Sequence, residues 1–340
     1  MSDRRRHLLG LDGLRGIAAF AVLLLHATLI FDIKYVPQAA VLAVDFFFLL
    51  SGFVLAYSYE ERLGSKRLSW RQFMAARMIR LYPMLFVGVA VGGLLFLLRS
   101  KFAIASSLLI AAGSFALLPI GLMAGTVAYP VNIPVWSLFF EFAASALYGS
   151  PLGRLSKRSL VAFVVASGIA LIPVAVWGGP YIFIGFGRPV TFLFGFVRVS
   201  YPFWAGVLLF HVVRLRAIPS IPIGMIGFVL ALLLLPSTCG AAYILLLDFL
   251  AFPALVALAA GATFGRQSAR VCSTLGRLSY PLYIVHFPIL RLFHYGSERL
   301  HLGVSPLVPL GGGMAASLII AEMSLVTFDE PLRMWLGKPN

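Results

Sequence analysis

Residues 38–59 read QAAVLAVDFFFLLSGFVLAYSY. Asp45 is the single charged side chain in this run. A helix crosses the hydrocarbon core of a bilayer with about 20 mainly apolar residues, so this stretch is long enough to span. Similar runs lie near 14–33, 78–98, 102–124, 133–150, 159–177, 190–213, 222–236, 241–262, 276–296 and 305–328. Short loops join them, and no internal repeat is apparent. Of the 340 residues 61% are hydrophobic and 11% charged. A soluble domain carries roughly 45–50% apolar and about 25% charged residues. So few charges cannot cover this much apolar surface in water, which excludes soluble, disordered, collagen-like and disulfide-stapled classes. The expected fold is all-α: a polytopic transmembrane helix bundle forming one membrane-embedded domain over residues 1–340.

The chain has 27 Lys+Arg against 12 Asp+Glu, a formal charge of +15. The basic residues cluster in loops at 4–6, 62–71, 154–158, 214–216, 266–277 and 333–338. That is the pattern of cytoplasmic loops, so a nucleic-acid partner is not expected. Strict alternation of all the segments puts the last four clusters on the far side. If one segment between 102 and 150 does not cross, every cluster falls on the cytoplasmic side. We therefore expect about ten crossings plus one partial or re-entrant segment, either 102–124 or 133–150, with both termini cytoplasmic. Residues 125–134 suit a re-entrant loop, which is tolerated where it lines protein or water. The N-terminal run is expected to be an uncleaved first helix, with no soluble domain appended at either end. Cys239 and Cys272 show no metal spacing, and neither a metal site nor a disulfide is expected. GxSxG, Walker A and HExxH motifs are absent.

Ionisable residues at membrane depth are costly unless paired or hydrated, and so are functional candidates. Arg15 and His26 are eleven residues apart and share a helix face, separated by about 16 Å along the axis. Histidine exchanges protons near neutral pH, and arginine holds phosphate or carboxylate. The structural alternative is a snorkelling arginine and a histidine bonded between helices. Asp45 needs a partner, for which Arg15 or His26 is the expected kind, and Ser51-Gly52 would let two helices approach. Arg77 and Arg80, three apart before Tyr82-Pro83, could clamp a phosphorylated ligand. Glu141, in Trp136-Ser137-Leu138-Phe139-Phe140-Glu141, is a candidate acid or base, or one half of a buried ion pair. Tyr283 and His286 share a face and could bind substrate or join helices. Arg198, His211, Asp248, His294 and Glu322 are expected to be structural.

These stretches together resemble the acyltransferase-3 family of bacterial membrane proteins, which includes O-antigen, exopolysaccharide and nodulation-factor acetyltransferases. The resemblance rests on Arg15 with His26, the run Asp45–Phe53, Arg77-x-x-Arg80-x-Tyr82-Pro83, Trp136-Ser137-Leu138-x-x-Glu141, Ser279-Tyr280-Pro281-Leu282-Tyr283 to His286, and Glu330-Pro331. It covers Leu11 to Pro331. Many members carry a second acidic residue after the position of Glu141, where this chain has Phe142. The chain is expected to be the form without a C-terminal hydrolase-like domain, working alone or with a separate periplasmic partner.

The resemblance implies transfer of an acyl group, usually acetyl, from cytoplasmic acyl-CoA to a hydroxyl of an extracytoplasmic or lipid-linked glycan at the bacterial inner membrane. Acyl-CoA would be a co-substrate, with no permanently bound cofactor. His26, Glu141 and Arg15 would be catalytic, with His26 as base or acyl carrier and Glu141 orienting it or supplying a proton. Arg77, Arg80 and Tyr82 would bind acyl-CoA. Asp45, Ser51, Trp136, Ser137, Tyr283 and His286 would line or support the site. The competing class is a transporter or flippase for an anionic lipid-linked sugar, whose proton relay would use the same residue types. A scaffold subunit would explain the hydrophobicity but not the ordered motifs.

Overall fold

The computed structural model describes residues 3–179, 184–215, 218–301 and 303–337, with side chains from Leu9 onward. The basic side chains at 4–6, Arg216 and Lys338 lie outside the described residues. Helices dominate: α1 Asp3–Ile30, α2 Ala43–Gly64, α3 Trp70–Arg99, α4 Ile104–Phe115, α5 Ile120–Met123, α6 Val135–Gly149 and α7 Lys157–Trp177. They continue with α8 Pro189–Val213, α9 Ile223–Leu234, α10 Ala241–Leu246, α11 Phe252–Ala260, α12 Arg266–Arg299, α13 Leu307–Ser324 and α14 Glu330–Leu336. Seven helical stretches among the described residues are long and apolar enough to cross a membrane. The all-α membrane bundle is therefore borne out.

Local chemistry sets the boundaries. The Ser69 side chain accepts from the Gln72 backbone N–H while the Gln72 side chain accepts from the Ser69 N–H, a capping box that starts α3. α3 therefore begins eight residues before the expected segment and carries Arg71, Arg77 and Arg80 on the helix. Prolines inside the helices leave carbonyls without an N–H partner. Pro288 frees the Ile284 carbonyl in α12, and Asn132 donates to it at 2.9 Å. Two five-residue π-helical segments, Leu247–Ala251 and Leu325–Asp329, stand just before Pro253 and Pro331. The widened turn accommodates the proline ring.

Central α12 has 34 residues and extends for about 51 Å. It packs along α1, α3 and α13, while α2 packs on α8. The α2–α8 approach is close: a Cβ at Gly52 would meet the Phe203 carbonyl, and one at Gly206 the Leu49 carbonyl. This is the small-residue contact expected of Ser51-Gly52.

The region 102–150 is broken into α4, α5, a buried return loop and α6. α4 has 12 residues, about 18 Å, and its Phe115 reaches back to Tyr82 and Phe86 on α3. The chain returns through 125–134, where Ala128, Tyr129, Val131 and Asn132 are buried and the Tyr129 hydroxyl donates to the Leu117 carbonyl at 2.9 Å. The 15-residue α6 then runs on to the Trp70 end of α3. Segment 102–124 is thus the one broken into two short helices, while α6 is continuous. The expected segment 222–236 is shorter than foreseen, since α9 has 12 residues.

Candidate active site

α1, α2, α3, α6 and α12 enclose a cavity of about 100 Å³. Arg15, Arg77 and Arg80 face it together with Glu141, Ser51, Ser137, Ser279, Tyr280 and Tyr283. The three arginines differ in what holds them. Arg15 Nη2 donates to Asp12 Oδ1 at 2.6 Å and to the Gly276 carbonyl at 3.3 Å, and its Nε donates to Ser279 Oγ at 3.0 Å. These bonds tie α1 to α12. Arg77 is buried and its Nη2 contacts Glu141 Oε1 at 2.5 Å, where Ser51 Oγ also donates at 2.8 Å. Arg80 is exposed and makes no hydrogen bond or ion pair among the described residues.

On the same wall Ser137 and Tyr283 share a 2.6 Å hydrogen bond, and Ser137 Oγ donates to the Pro134 carbonyl at 3.0 Å. Tyr280 donates to the Leu81 carbonyl at 2.5 Å. His26 and His286 lie outside the cavity lining, one helical turn beyond Tyr283 on α12. His26 Nδ1 is 2.9 Å from His286 Nε2, and Phe287 packs edge-on against His26. His286 is fully enclosed, whereas His26 keeps some exposed surface.

Several expected contacts are corrected. The partner of Asp45 is Arg198, not Arg15 or His26. Arg198 Nε and Nη2 meet Asp45 Oδ1 and Oδ2, each at 2.8 Å, and both residues are buried. This fork-on-fork pair satisfies both carboxylate oxygens, and α2 presents Asp45 toward α8 rather than α1. Glu141 does not reach His26; its partners are Arg77 and Ser51. Trp136 is not in the cavity wall: its ring lies 5.1 Å from the Arg198 guanidinium and packs on Phe48, Phe140 and Phe186. Tyr82 turns outward onto Phe115, 5.4 Å between ring centres, so it does not join the arginines.

Among the residues expected to be structural, His211 meets Glu60 at 3.5 Å and His294 meets Glu298 at 3.5 Å. Asp248 is buried in the first π segment, and neither of its oxygens has a hydrogen-bond partner. Glu322 is on an exposed face of α13. Ser279 and Tyr280 belong to a quoted motif but not to the expected site. Their signal was their place in that motif. Both cysteines are free and buried, and burial pushes the Cys239 thiol up from its ordinary range.

A family profile described as Acyltransferase domain matches residues 8–322. A protein of Rhizobium radiobacter called "Protein 2 in picA locus" is 31% identical over 179 residues, covering 48% of this chain and 93% of that protein. No solved structure matches.

Proposed function

We propose a reaction from one premise: this chain belongs to the acyltransferase-3 family and is a membrane acyltransferase. It takes an acyl group, acetyl in the family's usual case, from acyl-CoA on the cytoplasmic side. It delivers that group to a hydroxyl of a glycan, extracytoplasmic or lipid-linked, at the inner membrane of a bacterium. The observation that carries this reading is the arginine-lined cavity with Arg80 unpaired. Coenzyme A is polyanionic, and guanidinium groups in a partly desolvated cavity bind phosphate strongly. Arg80 holds the phosphates, with Arg15 beside it. Arg77, already neutralised by Glu141, shapes the wall rather than the charge.

The acyl end points along α1 toward His26, about 16 Å from Arg15. His26 takes the proton of the acceptor hydroxyl as its oxygen attacks the thioester carbonyl. The C–O bond forms, the C–S bond breaks, and the proton passes to the departing thiolate. The products are an ester and free CoA thiol. The spread of the site along the helix axis suits a donor and an acceptor that approach from opposite sides.

The test uses purified protein in nanodiscs with radiolabelled acetyl-CoA, following CoA release and label on the protein. Arg80→Ala should raise KM for acetyl-CoA about ten-fold or more with a smaller change in kcat. His26→Ala should lower kcat by about 10²–10⁴. Label retained on wild type and lost in His26→Ala would replace base catalysis by an acyl-histidine intermediate. A folded His26→Ala protein with full activity would remove His26 from the chemistry. Indifference of the wild type to every acyl-CoA would favour the transporter class.

A further inference from the structure

The His26–His286 pair has a direction that follows from its hydrogen bonds. His286 Nδ1 lies 2.9 Å from the Leu282 carbonyl oxygen, which can only accept. That nitrogen must therefore carry a proton. A neutral imidazole has one N–H, so His286 Nε2 is a bare lone pair. The 2.9 Å contact between His286 Nε2 and His26 Nδ1 then requires the proton on His26 Nδ1. His26 Nε2 is left without a proton. Among the described residues no carboxylate touches either ring, so a charge on the pair would lie without a counter-ion at this depth.

We infer that His286 is a positioning residue: anchored by the Leu282 carbonyl, it holds His26 in the Nδ1–H tautomer and so keeps Nε2 as the nitrogen that receives the hydroxyl proton. The inference rests on the base role of His26 proposed above. The same stretch of α12, which contains Pro281 and Pro288, is held by its neighbours. Asn132 clamps the Ile284 carbonyl, and the rings of Tyr283 and Phe287 flank the pair at 6.0 Å from His286 and 5.3 Å from His26. In this arrangement His286 never meets substrate. It acts through His26, as a second group commonly orients a catalytic imidazole.

The chain has only six histidines, so their ring nitrogens can be told apart by substitution. Protein labelled with ¹⁵N-histidine in nanodiscs is compared with His26→Gln, which identifies the His26 signals. The wild type should show His26 protonated at Nδ1 and bare at Nε2. His286→Leu should weaken that preference, leaving only the backbone of Val22 to bond His26, while His286→Gln, whose amide oxygen can accept from Nδ1–H, should keep it. In acetyl-CoA turnover His286→Leu should lose about ten-fold or more in kcat with KM unchanged, and His286→Gln should stay within about three-fold of wild type. His26 protonated at Nε2 in the wild type, or a tautomer unmoved in His286→Leu, overturns the inference. Full activity in His26→Ala sinks the base role instead, so the two failures are separable.

Discussion

At the scale of single residues, the buried charges of this protein fall into satisfied and orphaned groups. Asp45 and Arg198 complete each other with two 2.8 Å bonds, and Arg198 also donates to the Val41 carbonyl at 3.1 Å. Removing one partner strands the other in a site closed off from solvent. We expect Asp45→Asn or Arg198→Met to cost about 3–5 kcal/mol. Asp248 is the converse. Its carboxylate oxygens have no hydrogen-bond partner among the described residues, so Asp248→Asn should leave the unfolding temperature unchanged or raise it. Thermal unfolding can be read with a thiol-reactive dye, because Cys239 and Cys272 are buried until the fold opens. A strongly destabilised Asp248→Asn would mean that the carboxylate holds something its neighbours do not reveal. Asp45 and Glu141 were both legible in the sequence as acids that needed partners. Their partners were not, since Arg198 is 153 positions from Asp45 and Arg77 is 64 from Glu141.

At the scale of elements, prolines and the groups that compensate them decide where helices bend. α12 carries Pro281 and Pro288 and still runs for 34 residues. It can do so because the freed Ile284 carbonyl finds the Asn132 amide, delivered by the buried loop 125–134. An apolar environment offers that carbonyl no water, so the bond is obligatory rather than decorative. Asn132→Leu should cost about 1–3 kcal/mol and speed amide exchange in α12 around His286, measured by hydrogen–deuterium exchange. Unchanged exchange there would show that α12 stays helical past Pro288 unaided. Helix type and approximate position were legible for the long spans because hydrophobic runs of that length have few alternatives. The break of 102–124 into α4, α5 and a return loop was only half legible. Glycine and proline flagged 125–134, but the depth to which α4 descends is set by Phe115 against Tyr82 and Phe86.

At the scale of the whole molecule, contacts between helix ends sort them into two groups. Arg15 with Gly276, Glu60 with His211, Trp70 with Ala146, Pro222 with Thr263 and Arg277 with Glu330 mark one end. Ala39 with Pro236, Tyr35 with Leu235 and Arg99 with Glu298 mark the other. The basic loops among the described residues belong to the first end, and the positive-inside bias predicts that this end is cytoplasmic. Single-cysteine substitution tests this with a membrane-impermeant thiol reagent, against a low background from the buried native thiols. Lys101→Cys and Gly303→Cys should react in intact spheroplasts. Ser156→Cys and Arg270→Cys should react only after permeabilisation. Labelling of Ser156→Cys in intact cells would overturn the expectation that one segment between 102 and 150 does not cross. Composition and the apolar runs were enough to establish the helical segments of a membrane bundle. They are properties of the chain, because the bilayer selects on the hydrophobicity of each segment separately. Which arginine lacks a protein partner, which acid is ion-paired and which two histidines meet belong to the tertiary structure alone. Each of those depends on two helix faces meeting, and the faces that meet here come from segments far apart in the chain.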